Sequence, residues 1–161
     1  AWYLEHHPFG RIPAFEHDGF RLFETSAIAR YVDEGFDGPA LQPKDPHRRA
    51  RMNQIIGMLD AYAYRSMVWD VAVERLEKEA PDEALIANGL QQAETVLKVL
   101  TSLKAPGPWL LGDQLTLADL HAASIIAYFL KVAEGQKLLA DFADIQAWWD
   151  GIAKRPSLAA G

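Results

Sequence analysis

Two short stretches hold the residues whose types and spacing could do chemistry: Pro8-Phe9-Gly10-Arg11-Ile12-Pro13 and Glu24-Thr25-Ser26-Ala27-Ile28. Between them, Asp18-Gly19 suits a two-residue hairpin turn, in which both positions need positive φ. Taken literally, that turn sets His17 opposite Phe20, Glu16 opposite Arg21, Phe15 opposite Leu22 and Pro13 opposite Glu24. The opposed charges of Glu16 and Arg21 support this register as a cross-strand pair. Two segments distant in sequence therefore meet at one end of the hairpin. A helix that begins near Thr25 presents unpaired N–H groups there, which favour an anion, and the Thr25 and Ser26 hydroxyls add to them. The Glu24 carboxylate beside them can take an ammonium group. A helix start for a carboxylate and an acid for an amine together suit the zwitterionic head of an amino acid. If the Ile12–Pro13 peptide is cis, a minority state even for proline, it turns the Ile12 N–H and C=O outward to pair with a peptide ligand as a strand would. The plainer reading of the same spacing makes Glu24 and Thr25 a helix cap and Pro13 the opening of an edge strand. Caps are the commoner of the two.

The elements that must position these residues follow from periodicity. Residues 13–24 read as the hairpin, with Phe15, Leu22, His17 and Phe20 on one side and Ala14 and Phe23 on the other. A lone two-stranded hairpin is marginal in water and needs partners. From Thr25 a helix pattern begins, with Thr25 or Ser26 as cap, Ile28, Tyr31 and Val32 inward, and Gly35 at its end. Gly38, Pro39 and Pro43 mark residues 37–44 as a linker. Asp45-Pro46 is a cap followed by proline at the first helical position. The helix after it is expected to run toward the breaker at Pro81, bent near Gly57, with Met52, Ile55, Ile56, Leu59, Tyr62 and Ala63 inward. Asp82 caps a second long helix whose stripe is Ile86, Leu90, Ala93, Val96, Leu97 and Leu100. A third starts at Thr116 and is apolar nearly all round, as a central helix of a bundle must be. A last helix holds Ile145, Trp148, Trp149 and Ile152 and stops by Pro156.

Composition narrows the function classes. Half the residues are hydrophobic and 24% are charged, the balance of a folded globular chain. A net charge of -6 argues against nucleic acid as the partner, since phosphate binding needs a basic face. The one basic spot, Arg48, Arg49 and Arg51, reads as a solvated helix turn. With no cysteine there is no disulfide framework, thiolate metal site or cysteine nucleophile within these residues. No signal peptide or bilayer-spanning apolar run is seen, so the expectation is a cytoplasmic protein that does not enter a membrane. His6-His7 reads as a solvated pair rather than a metal site, and His121 as a core histidine with a partner.

Pro8-Phe9-Gly10-Arg11-Ile12-Pro13-Ala14, a hairpin, then Glu24-Thr25-Ser26-Ala27-Ile28-Ala29-Arg30-Tyr31 resemble the glutathione transferase signature: Asn-Pro-x-Gly-x-Val/Ile-Pro, then Glu-Ser/Thr-x-Ala-Ile. Leu115-Thr116-Leu117-Ala118-Asp119-Leu120 resembles the N-capping box and hydrophobic staple of that family's central helix. Trp148 and Arg155-Pro156 resemble its closing helix. The resemblance covers essentially the whole chain and implies an α+β fold. Residues 1–36 would be the C-terminal part of a thioredoxin-like domain (β-hairpin plus helix), 37–44 a linker, and 45–161 an all-α helical bundle domain. It also implies that Pro13 is the cis-proline, that Ile12 binds the cysteinyl unit of glutathione through its backbone, and that Glu24 and Thr25 hold the γ-glutamyl head. Arg11 sits where the family often has Gln or Lys beside the tripeptide. His7 departs from the usual Asn, and Thr25 from the commoner Ser.

These residues hold no counterpart of the family's first strand, helix and second strand, nor of the Tyr, Ser or Cys that activates the thiol. A βαβ unit takes about 30 residues or more, so the activating residue is expected ahead of Ala1. The implied activity joins the sulfur of glutathione, the co-substrate, to a small electrophilic, partly apolar substrate, with no metal and in a homodimer. Met58, Tyr62, Tyr64 and Trp69 are candidates for either the co-substrate pocket or helix packing and a dimer seam. The same site could instead serve isomerisation, peroxide reduction or dehalogenation. From another class comes a non-catalytic assembly module, as in one subunit of a translation elongation factor complex.

Overall fold

The computed structural model describes residues 2–159, so the outer ends of the 1–36 and 45–161 spans lie outside the described residues. The chain divides into two compact units, 1–42 and 43–161. The first opens with a 3₁₀ turn, Trp2–Glu5, followed by strand β1 (Ala14–His17), strand β2 (Phe20–Phe23) and helix α1 (Thr25–Gly35). The strands pair antiparallel with Ala14 against Phe23, Phe15 against Leu22, Glu16 against Arg21 and His17 against Phe20. Asp18 and Gly19 both take positive φ, 49° and 79°, as the two-residue turn demands. The Arg21 guanidinium meets Glu16 at 2.6 Å. One face of the hairpin closes on α1: the rings of Phe15, His17 and Phe20 all lie within 6.0 Å of Tyr31, whose hydroxyl shares a 2.9 Å hydrogen bond with His17 Nδ1.

Two expectations for α1 are corrected. Neither Thr25 nor Ser26 caps it: the N-cap is Glu24, and no side chain caps the end. Val32 is exposed rather than inward, because the two strands cover only the side of the helix that carries Tyr31.

In the second unit a single rod runs from Pro46 to Glu77. Helix α2 (Pro46–Met58) starts under the Asp45 cap, which accepts from the Arg48 N–H. Beyond Gly57 the rod passes into a π-helical stretch, Leu59–Val73, and ends as α3 (Glu74–Glu77). Fifteen residues of π-helix exceed the single-turn bulges that proteins usually show. The Ser66 hydroxyl bonds the Tyr62 carbonyl at 2.7 Å within it. Met52, Ile55, Ile56, Leu59 and Ala63 form the buried stripe as expected, but Tyr62 points outward and is 62% exposed. The change of winding shifts which residues face the core. Val71, Ala72 and Val73 near the end of the π-helical stretch are all buried.

Helix α4 (Glu83–Leu103) is capped by Asp82, which accepts from the N–H groups of Ala84 and Leu85. It buries Ile86, Ala93, Val96, Leu97 and Leu100. Where it meets the π stretch, Gly89 leaves no room for a side chain: a Cβ would lie 2.9 Å from Val71 Cγ2 and 3.0 Å from the Ser66 carbonyl. Helix α5 (Leu117–Phe129) follows, then α6 (Ala133–Ala140), α7 (Ala143–Ile152) and a final turn α8 (Pro156–Ala159). The sequence reading did not separate α6. It is short, and Gly135 within it disguises a helix. That glycine is required, since a Cβ there would collide with the Phe129 carbonyl. Arg75 joins three of these elements through Glu83 and Glu134, at 2.7 and 2.8 Å, and its hydrogen bond holds the Glu83 carboxyl below the usual carboxylate range. Arg48, read as solvated, donates to the Leu111 carbonyl at 3.0 Å.

At the centre lies Asp119, fully buried. Its carboxylate accepts from Thr116 N–H at 2.8 Å, Thr116 Oγ1 at 2.9 Å, Leu110 N–H at 2.8 Å and Trp148 Nε1 at 2.9 Å. One side chain thus ties the start of α5, the loop after α4 and the middle of α7. Asp119→Ala removes the shared acceptor of four buried donors, and should cost about 3 kcal/mol or more. Thr116→Ala should cost about 2 kcal/mol. Urea melts will read both, and values within about 0.5 kcal/mol of wild type would show that this network does not hold the unit together.

Candidate functional site

The candidate site sits at the open end of the hairpin, in the first unit. One register step beyond the Ala14–Phe23 pair, Pro13 stands opposite Glu24. The Ile12–Pro13 peptide is cis. Ile12 is 86% exposed, and none of the described backbone groups pairs with its N–H or C=O. Arg11, Pro13 and Thr25 are exposed as well.

Glu24 has an uncommon backbone, φ 73° and ψ 115°. A non-glycine residue in such a region costs about 1–3 kcal/mol and persists only where its surroundings impose it. The neighbours are visible: β2 ends at Phe23 and α1 begins at Thr25, so the chain must change direction within one residue. The Glu24 carbonyl accepts from both Ala27 and Ile28 N–H at 3.0 Å. The N–H groups of Thr25 and Ser26 precede the first helical bonds and take no side-chain cap. The end of α1 therefore offers two free donors, positive dipole character, two hydroxyls and the exposed Glu24 carboxylate.

The other half of the site is held from behind. His7 is 2% exposed, a correction to its reading as half of a solvated pair. Its ring lies 4.9 Å from Phe23 of β2 and is stacked with Tyr3 at 6.4 Å. The His7 carbonyl accepts from Gly10 N–H at 2.9 Å, closing the turn that leads into Arg11. His6 remains half-buried, 3.5 Å from Glu16. The Tyr3 hydroxyl donates to the Arg11 carbonyl at 2.6 Å. The sequence reading missed Tyr3 and the anchoring part of His7. Their four-residue spacing was the available signal, and the short turn Trp2–Glu5 that exploits it has no strong pattern.

Among the described residues no three His, Cys, Asp or Glu side chains gather as a metal-binding group, and no helix is long and apolar enough to cross a membrane. His121 on α5 meets Asp60 at 2.7 Å, so it has a partner, but it is half-buried rather than in the core.

Residues 57–156 match the family model described as glutathione S-transferase, C-terminal domain, and residues 1–34 that of the N-terminal domain. The chain belongs to the glutathione S-transferase family. It is an enzyme of the transferase class, with a thioredoxin-like part followed by a helical domain. Glutathione S-transferase F13 of Arabidopsis thaliana is 29% identical, covering 96% of this chain and 73% of that protein. The glutathione S-transferase-like protein FUS3 of Gibberella moniliformis is 33% identical, covering 92% of this chain and 68% of its own length. Among solved structures, poplar glutathione transferase F1 superposes with a TM-score of 0.84 at 27% identity, over 99% of this chain and 76% of that one. Glutathione S-transferase III in its apo form gives a TM-score of 0.84 at 30% identity, over 98% of this chain and 74% of the other.

Proposed function

We propose that this transferase binds glutathione at the hairpin end and joins its sulfur to a small electrophilic, partly apolar co-substrate. The observation that carries the reading is the start of α1, where the Thr25 and Ser26 N–H groups stand uncapped beside the exposed carboxylate of Glu24. In this reading the γ-glutamyl carboxylate takes the two N–H groups and the Thr25 hydroxyl. The γ-glutamyl ammonium takes Glu24. The cysteinyl unit pairs with the Ile12 backbone next to the cis Pro13, and Arg11 lies along the tripeptide. Held at both places, the thiolate sulfur forms its bond to the electrophilic carbon while a leaving group departs or a π bond opens, and the thiol proton passes to solvent. The site needs no metal. The cytoplasm suits this chemistry, because thiols are kept reduced there.

Glu24→Ala should weaken glutathione binding by about 1.5–3 kcal/mol, the scale of a hydrogen bond to a charged group. Titration calorimetry on the full chain will read the loss, and unchanged affinity would remove Glu24 from the site.

We also propose a homodimer. Tyr62, Tyr64 and Trp69 are all exposed along the π-helical stretch, more aromatic surface than one bundle helix ordinarily leaves to water. Met58, half-buried beside them, belongs with the same apolar surface, which serves the partner subunit or the co-substrate. Light scattering should report twice the chain mass at micromolar concentration. A monomer across the whole accessible range would contradict the proposal.

A further inference from the structure

We infer that Tyr3 is a positioning residue for the glutathione site, acting through the Arg11 carbonyl to aim the Ile12 N–H at the ligand; this rests on the reading of the site given above. The Tyr3 hydroxyl donates to the Arg11 carbonyl at 2.6 Å. That carbonyl and the Ile12 N–H belong to one peptide group. The group is planar and, since the Ile12–Pro13 bond is the cis peptide of the described residues, trans, so its C=O and N–H point in opposite directions. Fixing the oxygen therefore fixes where the Ile12 N–H points, away from Tyr3. A hydrogen bond accepted by the oxygen also polarises the group and makes its N–H a better donor.

Tyr3 is itself well held. Its carbonyl accepts from the N–H groups of His6 at 3.0 Å and His7 at 2.9 Å. Its ring lies nearly parallel to that of His7, at 18° and 6.4 Å. His7 is in turn buried and packed on Phe23, the residue just before Glu24. The two halves of the site are thus fastened to one strand end: Glu24 by the chain, and the Arg11–Ile12 peptide through Tyr3 and His7. Without the hydroxyl, an exposed peptide in a loop bearing Gly10 at φ 64° is free to rotate and must be ordered by the ligand at a cost to affinity.

Tyr3→Phe tests this, because it keeps the ring and its seat on His7 and deletes only the donor. On the full chain, calorimetry with glutathione should show the dissociation constant raised about two- to tenfold, the range of one net hydrogen bond. The urea midpoint should stay near wild type. Amide spectra of the free variant should show a displaced Ile12 signal with Thr25 and Ser26 in place. Wild-type affinity for Tyr3→Phe, alongside weakened binding by Glu24→Ala, would overturn the role of Tyr3 and leave the glutathione reading standing. Wild-type affinity in both variants would overturn the two together. A lowered urea midpoint with all three amides displaced would make Tyr3 a structural residue and also overturn the inference.

Discussion

The Asp119 carboxylate, buried and satisfied by four donors, is the constraint on which the helical unit depends. A charge in that position would cost several kcal/mol if unpaired. Here Thr116, Leu110 and Trp148 surround it with hydrogen bonds, and it lies at the positive start of α5. The donors come from three separate elements, so the interaction can form only when α5, the loop after α4 and α7 have all arrived. It therefore selects one packing among the many that apolar helices allow. Phe129, Trp148, Ile145 and Leu139, all essentially inaccessible to water, then contribute about 1.5–3 kcal/mol for each large side chain.

The first unit solves a different problem with local means. It brings two uncapped N–H groups and an exposed carboxylate to one place. A strand that runs straight into a helix does this when the joining residue takes an unfavourable backbone, and Glu24 is that residue. The aromatic cluster of Phe15, His17, Phe20 and Tyr31 on one face, and His7 with Phe23 on the other, hold the strand ends that force the turn. Glu24 carries both the uncommon backbone and the exposed carboxylate beside the uncapped start of α1.

Much of this was legible in the sequence because it rests on rules of short range. Asp18-Gly19 sets the register, the register sets Pro13 against Glu24, and Asp45, Asp82 and Thr116 mark helix starts through side chains that can act nowhere else. The misses share a cause. α-Helical spacing puts Tyr62 inward, and nothing in residues 59–73 announces π winding. Val32 looks buried from its period, but exposure depends on how much of α1 two strands can cover. His7 and Tyr3 act through stacking and a single long-range hydrogen bond, and pairings of that kind are decided by the fold rather than by neighbouring residues. The half of the site proposed to bind through backbone atoms is the hardest to read, since any side chain can carry those atoms.

In the proposed function glutathione is gripped at two backbone points, the start of α1 and the Ile12 peptide. Amide spectra recorded on the full chain during a glutathione titration test it most directly. The Thr25, Ser26 and Ile12 amide signals should move together and saturate with one affinity, while amides around Asp119 stay in place. Saturable binding that leaves those three signals unmoved would contradict it.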